Sequence, residues 1–148
     1  MAFIPSGVSM LSIHLRKWLP SLLVMGLIFW FSSQPSSNLP NFDWADKVIK
    51  KGGHILGYAM LAWSYWNALD MKPRKRWLAW LLAILYAVTD EYHQSFVAGR
   101  SPSAWDVFIF DNIGALIGLS VAAIKQEKVK LRISNSENSD SLSLSSPE

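Results

Sequence analysis

The sequence predicts an all-α integral membrane protein, a bundle of four transmembrane helices. Three observations predict it: four apolar runs of bilayer-spanning length, tryptophans near their ends, and basic residues gathered in alternate links. The chain has 148 residues, 51% of them hydrophobic and eight of them Trp, too apolar for an ordinary soluble domain once its polar end is set aside. Without Cys it has no disulfide framework, no thiolate metal site and no cysteine nucleophile. Its 14 Lys and Arg against 11 Asp and Glu flank the apolar runs and form no continuous stripe, so the anionic partner is a membrane rather than nucleic acid.

The first span is expected over 18–33, just after Arg16 and Lys17. A basic pair before a short apolar run is also the pattern of an export signal, but Trp30 and Phe31 stand where a signal peptidase requires small residues, which favours a retained helix. The second span covers 52–69, the third 77–96 and the fourth 105–124. Trp18, Trp30, Trp66, Trp77 and Trp105 fall near their ends, as an aromatic belt requires. No segment shows the broad polar face of a soluble-bundle helix.

Ten of the fourteen basic residues collect on one side: Arg16, Lys17, Lys72, Arg74, Lys75, Arg76, Lys125, Lys128, Lys130 and Arg132. By the positive-inside rule that side is cytoplasmic, and both termini are inside. Residues 1–132 then form one membrane domain. Residues 133–148 form a Ser-rich cytoplasmic tail, with seven Ser in the last fifteen positions, expected to be disordered because it has nothing to bury.

With that topology the costly polar groups meet at one membrane face, the outer one: His54, Asp90, Glu91, His93, Gln94, Asp106 and, from a link, Arg100. Ionisable groups at membrane depth pair with one another or line a cavity, so an outward-facing polar pocket is expected. His54 shares a helical stripe with Lys50 and Tyr58, and is either an interfacial histidine satisfied by a carbonyl or an acid or base. Asp90 and Glu91 point about 100° apart, so only one faces a given partner, and Gln94 can reach either. Arg100, after Gly99 in a turning link, offers a planar fork for phosphate or carboxylate, or anchors to lipid headgroups. Ser103 and Asp106 have capping-box spacing. Asp111 and Asn112 lie two turns into the fourth helix, where a charge must be paired, so Asp111 either faces His54 or Arg100 or is protonated. Gly53 with Gly57, and Gly114 with Gly118, have the spacing that lets helices approach closely. No metal and no cofactor is expected: Asp90 and His93 give one i,i+3 pair where bundle metal sites use several.

Together these stretches resemble a known family. The run LYAVTDEYHQSFVAGRSPSAWDVFIFDNIGALIGL, residues 85–119, resembles the signature of the VanZ-like membrane proteins, and IFWFSSQP and VIKKGGHILGYAML resemble its first and second helices. The resemblance implies a small bacterial four-helix protein of the cytoplasmic membrane, in a family whose founding member is linked to teicoplanin resistance. Carried over position by position, it singles out His54, Tyr58, Asp90, Glu91, Gln94, Phe96, Gly99, Arg100, Asp106 and Gly114. One departure concerns the fourth helix. The family's second polar residue there follows the first Asp by four, whereas Asp111 follows Asp106 by five. Five residues turn an α-helix through about 500°, so the two share a face only if a bulge absorbs the extra residue, and Asn112 is the alternative to Asp111.

Two functional classes follow. In one, the pocket binds or acts on an anionic envelope lipid or a lipid-linked cell-wall intermediate, with His54 and Glu91 as candidate catalytic residues in proton transfer. Arg100, Gln94, Asp90, Asp106, Tyr58 and Asn112 are then the candidate binding residues. In the other, the same groups only fix helix packing or dock a partner, a second copy of the chain or another membrane protein.

Overall fold

The computed structural model describes residues 10–35, 44–100 and 102–144. They form four helices: α1 (Met10–Ser32), α2 (Trp44–Ala68), α3 (Arg76–Gln94) and α4 (Asn112–Leu144). A 3-10 turn, Pro73–Lys75, leads into α3, and a π-helical stretch, Asp106–Asp111, leads into α4. No strand occurs among the described residues. The all-α expectation holds, with shifted ends. Both α1 and α2 begin eight residues before the apolar runs that announced them, because nothing in MLSIHLRK or WADKVIKK stops a hydrogen-bonded helix from running into polar flanks.

Helix α2 is central and packs against the other three. Its inner stripe is Tyr58, Leu61, Ala62, Tyr65 and Trp66, at the i, i+3, i+4, i+7, i+8 spacing of one helical face. Helix α3 answers with Ala79, Ala83 and Ala87, and α4 with Ala115, Leu119 and Ala122, small residues that bring the backbones close. The α2 C-terminus closes with a Schellman-type pair: Met71 N–H donates to Trp66 O (2.9 Å) and Asp70 N–H to Asn67 O (3.0 Å). The motif demands a left-handed residue, and Asp70 takes it at φ 63° where glycine is usual. The Lys17 ammonium beside Asp70 holds that carboxyl below the usual carboxylate range and ties the start of α1 to this turn.

The outer surface is apolar. Among the described residues twenty-seven large hydrophobic side chains, on all four helices and the stretch between α3 and α4, are exposed, Leu23, Leu56, Leu85 and Val121 among them. By length and composition one helix, Val107–Ser139, is long and apolar enough to cross a bilayer, and only a third of its apolar window is buried in protein. Four such spans were expected; among the described residues one meets that measure.

Helix α4 outruns the bundle. Gln126 Nε2 donates to Met71 O (3.2 Å), and every described side chain from Glu127 to Ser139 is exposed. The backbone stays helical to Leu144, twelve residues into the segment expected to be disordered. The correction has a simple cause: once a helix is anchored at one end, each further residue adds a hydrogen bond without a new nucleus. Since nothing packs on this extension, deleting residues 134–148 is expected to change the bundle's unfolding free energy by less than about 0.5 kcal/mol, measured by thermal unfolding in detergent. Residues 145–148 lie outside the described residues.

Candidate functional site

The end of α1, the first half of α2, the end of α3 and the π-helical stretch meet at one end of the bundle. Two buried carboxylates sit there. Helix α3 turns its alanine stripe inward, and continuing that stripe from Ala87 by three and by seven residues brings Asp90 and Gln94 to the same face. Asp90, 3% exposed, accepts three hydrogen bonds at Oδ2: from Ser32 Oγ (2.9 Å), Tyr58 OH (3.3 Å) and Gln94 Nε2 (3.0 Å). It thereby ties α1, α2 and α3 together. Its Oδ1 has no partner among the described residues. His93, three residues on, points elsewhere: Nε2 meets Ser33 Oγ at 3.0 Å and the ring stacks on Phe29. Asp90 and His93 therefore do not converge as metal ligands, and no group of three His, Cys, Asp or Glu able to hold a metal occurs among the described residues.

The second carboxylate is Asp111, 1% exposed, whose Oδ1 accepts from His54 Nδ1 at 2.9 Å. The five-residue spacing that argued against Asp111 is absorbed by the π-helical stretch, where i→i+5 bonds wind the surplus residue into one wider turn. Asn112, the alternative, faces the other way and accepts from Trp80 Nε1 (2.8 Å), so it joins α3 to α4 and not the pocket. The side chain of Asp106 lies outside the described residues, as does Ser101. The His54 ring lies nearly parallel to that of Tyr58, with centroids 6.1 Å apart. Tyr58 thus links the two carboxylate centres, stacked on one side and hydrogen-bonded to Asp90 on the other.

Arg100 and Glu91 serve helix ends. Gly99, at φ 73°, turns the link, and Arg100 then donates from Nη2 to Phe31 O (2.8 Å) and from Nε to Gln34 O (3.1 Å). A cation on the last carbonyls of α1 is favourable both as a cap and against the helix dipole. Glu91 Oε1 accepts from Ser103 N–H at the entrance to the fourth helix. The hydrogen bonds described for His54, Glu91 and Arg100 run to different partners: Asp111, the Ser103 N–H, and the Phe31 and Gln34 carbonyls. Of the adjacent acidic pair, Asp90 is the residue turned inward, and Asp111 is the partner of His54.

A cavity of about 430 Å³ opens between α1 and α2 beside these groups. Its walls are apolar, from Val24, Leu27 and Ile28 on one helix and Leu56 and Met60 on the other. Lys50, His54 and Arg100 also line it, and among the described residues no acidic side chain does. Gly53 and Gly57 belong to the lining too. A Cβ at Gly53 would meet nothing within 4 Å and one at Gly57 only the Ile28 side chain, so this pair opens space instead of bringing helices together.

The sequence model of the family described as VanZ/LLP1 matches residues 17–126. The chain belongs to the VanZ/LLP1 family. The match runs from Lys17, in the first half of α1, to Gln126, which donates to Met71 O, and leaves out the projecting part of α4. No curated protein and no solved structure matched the chain. In this VanZ/LLP1 protein two residues that the sequence did not single out join the polar groups: Ser32, which lines the cavity and donates to Asp90, and Ser33, beside His93. The signal for them was available in FSSQP, where paired hydroxyls close an apolar run at the depth of the other polar groups.

Proposed function

We propose that this VanZ/LLP1 protein is a multi-pass protein of the bacterial cytoplasmic membrane, with both termini cytoplasmic, and that its cavity binds an anionic envelope lipid or lipid-linked cell-wall intermediate. The observation that carries the proposal is the cavity's lining: apolar walls between α1 and α2, with the basic or protonatable side chains of Lys50, His54 and Arg100 at its edge. Its volume is in the range of small-molecule sites, and cations beside an apolar groove suit a chain with an anionic head. The apolar outer surface supports immersion in lipid. The proposal is one of binding. A part in glycopeptide resistance would follow if the lipid held is a cell-wall intermediate.

Native mass spectrometry of the full chain in mild detergent tests it: a co-purified anionic lipid is expected on the wild type and absent from Gly53→Leu. That side chain would enter the cavity from a position with no neighbour to disturb, so thermal stability should not fall. A wild type that carries no lipid, or a variant that carries as much, overturns the proposal. Orientation is checked by single cysteines, which the chain otherwise lacks. An impermeant thiol reagent should label Ser36→Cys and spare Ser139→Cys in intact cells; the reverse pattern inverts the topology.

A second reading has an observation of its own. Asp90, Asp111 and Arg100 all have partners within the protein, which suits a polar network that only fixes packing. Under that reading Gly53→Leu changes neither retained lipid nor function.

A further inference from the structure

We infer that the polar end of the cavity is built for a phosphate monoester, a lipid whose headgroup phosphate keeps three terminal oxygens, in preference to a phosphodiester. The inference rests on the proposal that the cavity takes an anionic lipid, and names the class. Three cationic or protonatable side chains line the cavity, Lys50 and His54 one turn apart on α2 and Arg100 from the link. Arg100 is held in place by the Phe31 and Gln34 carbonyls through two of its five N–H groups, which leaves its charge without a carboxylate in these bonds.

Asp111 decides what His54 offers. A carboxylate only accepts, so Nδ1 carries the hydrogen of the His54–Asp111 bond, and Nε2 is the nitrogen available to a ligand. Nε2 makes no hydrogen bond to the described residues, and the side chain is 20% exposed. A phosphate monoester carries a second charge and a third terminal oxygen that a diester lacks, and a protonated His54 ring donates from Nε2 to it. Three side-chain donors then match three terminal oxygens. A diester offers two such oxygens and carries one charge. Asp111 acts as the positioning residue, through His54.

The test is competitive retention in native mass spectrometry. The full chain in mild detergent receives equal amounts of phosphatidic acid, a monoester, and phosphatidylglycerol, a diester, with the same acyl chains. Phosphatidic acid should be retained about tenfold over phosphatidylglycerol, the worth of one charge-assisted hydrogen bond. In His54→Asn the side-chain amide can keep a hydrogen bond to Asp111 but has no counterpart of Nε2. Its ratio should fall to near one, with the melting temperature measured alongside to show that the variant is folded. Equal retention by the wild type, or an unchanged ratio in His54→Asn, overturns the inference and leaves the anionic-lipid proposal standing. Retention of neither lipid overturns both. Inorganic phosphate alone should not raise the melting temperature; a rise as large as that given by phosphatidic acid assigns the site to free phosphate and overturns the lipid assignment.

Discussion

Gly118→Ala is expected to destabilise the bundle by about 3 kcal/mol, and Gly114→Ala by a similar amount, read as a fall in thermal stability in detergent. The added Cβ at Gly118 would lie 2.7 Å from the Ala59 carbonyl carbon and 2.8 Å from its Cα; at Gly114 it would lie 2.9 Å from Ile55 Cα. These are backbone atoms that no rotamer change can move. Helices α2 and α4 must therefore separate, loosening the packing of Ala115, Leu119 and Ala122. Gly53→Ala supplies the opposite sign within the same protein. Its Cβ meets nothing, so only the helix preference for alanine is felt, a gain of roughly 0.5–1 kcal/mol. Equal responses at Gly53 and Gly118 would show that the close crossing of α2 and α4 is wrong.

Asp90→Ala carries the second large effect, a loss of about 3–5 kcal/mol. The substitution strands Ser32 Oγ, Tyr58 OH and Gln94 Nε2, three donors from three helices that now converge on one carboxylate oxygen. Each stranded buried donor costs about 1–3 kcal/mol, less what relaxation recovers, such as Gln94 turning toward Ser32, already at 3.4 Å. Asp90→Asn keeps an acceptor and should cost clearly less. Tyr58→Phe removes only the longest of the three bonds and should cost about 1 kcal/mol. Chemical unfolding in detergent orders the three variants. An Asp90→Ala protein as stable as the wild type would remove Asp90 from its place at the junction of α1, α2 and α3.

These two sites also show what the sequence could and could not tell. That α3 buries one of Asp90 and Glu91 followed from their angle alone; which one follows from the alanines at 79, 83 and 87, whose spacing leads to Asp90 and on to Gln94. The two GxxxG pairs look alike in sequence, yet Gly114 and Gly118 touch a neighbouring backbone while Gly53 and Gly57 open a cavity, because the motif names a spacing and not the face that meets a neighbour. The convergence of His54, Asp90, Gln94 and Arg100 at one end was legible from topology. The sequence left Asp111 a choice of His54, Arg100 or protonation, and the choice of His54 depends on a helical irregularity that no residue in DVFIFD announces. Arg100 was expected to hold a ligand or anchor to headgroups, and its contacts with the Phe31 and Gln34 carbonyls, one at the end of α1 and one just past it, depend on where α1 ends, a boundary that apolar runs leave open.

The π-helical stretch between Asp106 and Asp111 has a consequence beyond aiming one carboxylate. A helix that gains a residue normally rotates everything after it by about 100°, which here would swing Gly114 and Gly118 off α2 and put larger side chains against Ile55 and Ala59. By winding the surplus residue into one wide turn, the chain keeps the downstream helix in angular phase with its upstream part. Relative to a family pattern with four-residue spacing, the stretch is an insertion confined to a single turn. Removing one residue between 106 and 111 would restore ordinary α-helical winding without disturbing the crossing below it, whereas the same deletion a turn later, past Asn112, would throw the glycines out of register.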